Sequence, residues 1–145
     1  MRLAFTGDIL SYKRQNKIIR KKKIGYDVVF KGIKSLFAHS DYVCGSLETP
    51  IANKELKYTK SHVEFNTPEC FLKALRDSGF SLLTTANNHC LDRGLEGLRQ
   101  TIINLRKNNL DFTGIQMTYK ENNFLVKEIK NKKISFISYT YGTNS

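Results

Sequence analysis

One stretch limits the folds open to this chain more than any other: Ser81 to Gly94, SLLTTANNHCLDRG. It begins with a short apolar run, Leu82-Leu83-Thr84-Thr85-Ala86, rich enough in β-formers to predict a buried strand. The run stops at Asn87-Asn88-His89, whose polar groups a buried strand could not carry further without partners. After Leu91-Asp92-Arg93-Gly94 a helical apolar period starts. A strand, a polar corner and a helix in that order place side chains at the carboxyl edge of a parallel sheet, where α/β proteins bind ligands. Two readings of the corner stand side by side. Its amides, imidazole and carboxylate suit a hard or borderline divalent metal. Equally, its Asn and Asp side chains suit a turn that caps the following helix.

The rest of the chain supplies the context. Arg2 to Ile9 reads as a strand ending in Gly7-Asp8, with Asp8 either a metal ligand or a helix cap. From Asp27 to His39, Val29, Phe30, Ile33, Leu36 and Phe37 recur at helical spacing, with Asp27 as N-cap. His39 and Asp41 read as surface residues. Tyr42 to Leu47 is a second strand, again followed by a carboxylate, Glu48, before Pro50 halts regular structure. A polar loop, Asn53 to Glu64, carries Tyr58, Lys60 and His62, which could close over a site. Thr67-Pro68-Glu69 predicts a helix start and Gly79 its end. Leu91, Leu95, Leu98, Ile102 and Leu105 predict a long amphipathic helix. Leu110 to Gly114 is a short strand, and Phe124–Ile129 with Ile134–Tyr141 form a hairpin about Lys130 to Lys133. Strands and helices alternating in this way predict an α/β fold, a sandwich with a mostly parallel sheet, in a single domain over residues 1–145.

Composition narrows the partners. No run approaches the ~18 apolar residues of a membrane span, and the first residues lead straight into a strand, so the cytoplasm is the expected location. Cys44, Cys70 and Cys90 show no C-x-x-C spacing and read as reduced thiols. Cys90, beside the polar corner, reads as a half-buried thiol before a metal ligand. The net charge of +11 invites a nucleic-acid partner. Much of it, however, sits in one segment: Lys13, Arg14, Lys17, Arg20, Lys21, Lys22 and Lys23. Beyond Tyr12 no aromatic residue interleaves it, and neither a recognition helix nor zinc-finger spacing accompanies it. No specific nucleic acid is expected. The segment reads as a solvated basic loop, or as a patch that holds an acidic substrate.

Asp8, Glu48 and Asn88-His89 thus follow three successive strands. In GDI, LETP and ANNHCLDRG the sequence resembles the poly-γ-glutamate and capsule biosynthesis (CapA-like) proteins of the calcineurin-like metallophosphatase superfamily. The resemblance covers essentially the whole chain. It implies an α/β/β/α sandwich of which this chain is the N-terminal half, truncated at its C-terminal end. It also implies that Asp8, Glu48 and Asn88 are metal ligands, for Mn, Zn or Fe, and that His89 and Asp92 are catalytic. Ser46 stands where the family has asparagine in its N-L-E motif. The further histidine motifs, resembling H-W-G and G-H-H-P-H, are missing, since His39, His62 and His89 are the only histidines.

Two functions follow. One is a metal-dependent hydrolase or transferase acting on a phosphoester or an acidic polymer in capsule synthesis. The other is a non-catalytic, polyanion-binding or assembly component. A missing second half would also leave apolar side chains such as Phe136 or Tyr139 uncovered, which predicts self-association.

Overall fold

The computed structural model describes residues 1–59 and 65–144; Lys60 and His62 lie outside them. Strands β1 (Leu3–Ile9), β2 (Tyr42–Leu47), β3 (Leu82–Thr84) and β4 (Asp111–Thr113) form one parallel sheet in the order β1-β2-β3-β4. Between them run α1 (Lys13–Lys22), the single turns α2 (Asp27–Phe30) and α3 (Lys34–Phe37), then α4 (Cys70–Asp77) and α5 (Gly94–Lys107). β5 (Phe124–Ile129) and β6 (Lys132–Ile137) make a separate antiparallel hairpin. The expected α/β architecture is therefore present, with its parallel sheet. Among the described residues no helix is long and apolar enough to cross a membrane.

Both faces of the sheet are covered, which is why β2 and β3 read as apolar runs. Val43, Leu47 and Leu83 point to one side, where Phe71, Leu72 and Leu75 of α4 and Leu105 of α5 join them. Tyr42, Cys44 and Leu82 point to the other, against Ile129 and Phe136 of the hairpin. Burying each large apolar side chain is worth ~1.5–3 kcal/mol, so the two clusters hold helices and hairpin to the sheet. Gly45 is placed at mid-strand by close packing: a Cβ there would run into Ile9, Phe80 and Thr6.

The pairing of β1 with β2 contains one irregularity. Phe5 lies opposite Cys44 but Asp8 opposite Ser46, so Thr6 and Gly7 share the single partner Gly45 in a bulge. Before the bulge, Ala4 packs on the helix-side core and Leu3 on the hairpin-side core. After it, Ile9 joins the helix side. The extra residue thus sends Asp8 to the other face, at the end of the strand, where it is exposed.

Several local expectations change. The basic segment is not a loop but the helix α1. Lys and Arg are good helix formers, Ile19 anchors the helix in the core, and the Gln15 side chain accepts the Tyr12 N–H at its start. The helix expected from Asp27 to His39 is two single turns separated around Gly32, with Tyr26 before the first. Phe30, Ile33 and Phe37 reach the core, while Val29 and Leu36 are exposed. α4 begins at Cys70 rather than directly after Thr67, whose hydroxyl pairs with Thr49 at 3.0 Å and does not cap the helix. α5 buries Gly97, Thr101, Ile102 and Leu105, and Leu95 faces solvent. Thr101 sets that face: its hydroxyl donates to the Gly97 carbonyl and accepts the Ile51 N–H at 2.9 Å. Phe136 is buried against the Tyr42 ring, whereas Tyr139 is exposed.

Candidate functional site

The ends of β1, β2 and β3 are stitched together by main chain and one amide. The Glu48 N–H donates to the Ile9 carbonyl at 2.9 Å. The Asn87 side chain donates to the Leu47 carbonyl at 2.8 Å, and its oxygen accepts the His89 N–H at 3.0 Å. Asn87 therefore bridges the exits of two strands and fixes the turn that presents His89.

His89 is buried, and its Nδ1 lies 2.7 Å from Asp92 Oδ2. The Asn144 side-chain amide also reaches Nδ1, at 3.2 Å, so the imidazole is held from its Nδ1 side. Phe65 completes the pocket: its N–H donates to Asp92 Oδ2 at 2.6 Å, and its ring packs 4.1 Å from the imidazole. Asp92 is fully buried, and among the described residues its second oxygen has no hydrogen-bond partner.

Glu48 joins this group electrostatically. Burial pushes its carboxyl above the usual carboxylate range, and the negative charges of Asp8 and Asp92 push it further, while His89 opposes them. Asp8 lies near the end of β1, Glu48 just after β2, and His89 and Asp92 after β3, so all four belong to the carboxyl edge of the sheet. Asn88 shares the corner but is exposed, and it pairs with Asn144: the side-chain amide reaches Asn144 Oδ1 at 3.3 Å, and the carbonyl accepts the Asn144 N–H at 2.8 Å. His39 and Asp41 lie away from this edge. Both are exposed, and Asp41 accepts the Arg2 N–H at 2.8 Å. Cys90 is half-buried, and burial raises its thiol, as befits a packing residue. Tyr58 is drawn into contact with Lys13 and Arg93.

Comparison with known proteins adds the decisive observation: residues 2–145 match the family described as Bacterial capsule synthesis protein PGA_cap. The chain belongs to that capsule synthesis family. It is 34% identical over 112 residues to the PGA biosynthesis protein CapA of Bacillus subtilis (strain 168), covering 77% of this chain and 29% of that protein. It is 28% identical over 142 residues to the Capsule biosynthesis protein CapA of Bacillus anthracis, covering 95% and 34%. The chain spans about a third of the length of these curated relatives.

The donor set of this capsule synthesis chain fits a divalent cation in kind. Asp8 and Glu48 offer carboxylates and Asn88 an amide oxygen, the oxygen donor types that hard divalent cations take. Among the described residues, no three His, Cys, Asp or Glu side chains are gathered as a metal cluster. Three contributors to the site escape sequence reasoning. Asn87 has a signal, an asparagine at a strand exit. Phe65 and Asn144 have none, because only the fold brings them to His89.

Proposed function

We propose that this member of the capsule synthesis family carries part of a metal-dependent hydrolase or transferase centre, acting on a phosphoester or an acidic polymer. The supporting observation is the buried His89–Asp92 pair beside Glu48, at the edge where three parallel strands end. Asp8, Glu48 and Asn88 would hold the divalent ion. When bound, such an ion polarises a phosphoryl or carbonyl oxygen and lowers the pKa of water.

The chain's own residues do the rest. Asp92 holds the imidazole through Nδ1, which leaves Nε2 as the atom that takes a proton from the attacking oxygen and returns it to the leaving oxygen. Phe65 covers the imidazole and keeps water from the Asp92 contact. The bulge in β1 and the Glu48–Ile9 bond set the carboxylates at one edge.

The test pairs manganese calorimetry with turnover of bis-p-nitrophenyl phosphate, on the chain and on Asp8→Asn and His89→Asn. The expected result is metal binding lost only in Asp8→Asn and turnover lost in both. No manganese binding by the unaltered chain would overturn the metal reading. The basic helix α1 favours a second reading, a non-catalytic component that binds a polyanion for assembly. Polymer binding without any turnover would select it.

A further inference from the structure

A groove of about 990 Å³ opens between α1, the 52–58 segment and the starts of α4 and α5. One wall carries Lys13, Lys17 and Arg20 of α1, and the other Arg93. On a helix these three α1 positions fall on successive turns, so their charges form a row. Among the described residues none of the three has an ion-pair partner. Glu69, the groove's carboxylate, is already engaged by Lys107 at 2.9 Å. The groove is thus strongly cationic and uncompensated.

Arg93 makes it a built site. It is only 3% exposed, yet among the described residues its Nε–H has no hydrogen-bond partner. Its Nη2 is spent on the carbonyls of Asn53, Lys54 and Leu56, which fix the guanidinium in place. A buried, charged N–H left unpaired costs free energy that a ligand acceptor would return. Lys13 and Arg93 also pack on the same Tyr58 ring, at 4.5 and 4.1 Å from its centre. Several cations along facing walls of one groove attract a doubly charged anion more strongly than a singly charged one. Beyond this charged end the groove runs along Ile19 and Ile24, which suit an organic body.

We propose that this groove is a binding site for an organic phosphate monoester, its phosphate between Lys13 and Arg93 and its apolar part on Ile19 and Ile24. The proposal does not rest on the hydrolase reading. The test is titration with benzylphosphonate, which cannot be hydrolysed, followed by calorimetry and NMR with a chelator present. The chelator removes any signal from phosphonate held by metal at the strand edge. The expected result is saturable binding that is at least tenfold tighter than that of inorganic phosphate or benzoate. Lys13→Ala/Lys17→Ala, both exposed positions, should weaken it at least tenfold, and His89→Asn should leave it unchanged. Arg93→Lys, which keeps the charge but loses Nε, should weaken it as well. Absence of binding at millimolar phosphonate would overturn the proposal, as would equal affinity in the Lys13/Lys17 variant. Benzoate binding equally well would make this a carboxylate site, and inorganic phosphate binding equally well would remove the organic part; either result overturns the assignment.

Discussion

Asp92 and His89 are joined at 2.7 Å inside the protein, and the same Asp92 oxygen accepts the Phe65 N–H at 2.6 Å. One carboxylate oxygen thus serves both a site residue and the chain that covers it. Asp92→Ala strips the acceptor from both and should lower stability by ~2–3 kcal/mol, read by urea denaturation. Asp92→Asn keeps the shape but not the charge. It should cut turnover by ~10–100-fold, because the imidazole loses the carboxylate that holds and orients it. Unchanged turnover in Asp92→Asn would limit Asp92 to packing.

Glu48 predicts a pH dependence. Its carboxyl is raised above its ordinary 4.5 by burial first, then by Asp8 and Asp92. The folded state therefore holds this proton more tightly than the unfolded state. The contribution is fully present below pH 4.5 and is lost as pH rises through the folded value. In chelator, Glu48→Gln should remove this fall and flatten the urea midpoint against pH above 4.5. A variant curve parallel to that of the parent would show that Glu48 is not coupled to folding.

Asp8 and Asp41 offer a matched comparison. Both are exposed aspartates, but Asp8 ends β1 among acidic neighbours, and Asp41 is occupied by Arg2 and Lys130 at the other end of β2. Asp8→Ala should weaken manganese binding by at least ~10-fold, and Asp41→Ala should leave it unchanged. Equal isotherms for the two variants would remove Asp8 from the ligand set.

Gly45→Ala tests the packing behind the site. The added Cβ would meet the Phe80 ring and the Thr6 hydroxyl at 2.8 Å, and Ile9 closer still. Overpacking of this kind costs ~1–3 kcal/mol. Because Thr6 lies in the bulge before Asp8 and Ile9 directly follows Asp8, metal affinity should fall together with the denaturation midpoint.

What the sequence reveals of this molecule follows from how local each cause is. β2 and β3 are legible because a strand buried on both faces must be apolar and must end where polar residues begin. Asp8, Glu48 and His89 are legible for the same reason. α1 is not, since its only buried residue is Ile19 and charge masks the helical preference of Lys and Arg. The split between α2 and α3 is hidden because helical spacing continues across Gly32 even though the helix does not. The role of Arg93 depends on carbonyls some forty residues earlier, and that of Asn144 on a contact with Asn88. No local pattern encodes either.

The bulge in β1 also decides where the chain can change length. Thr6 and Gly7 together face only Gly45, so deleting Gly7 would restore plain alternation. Ile9 would stay in the core and Asp8 at the edge. β2 has no such slack: losing one residue there would turn Val43 and Leu47 out of the core or shift every partner on both sides. Of the two neighbouring strands, the outer one absorbs a deletion and the inner one does not.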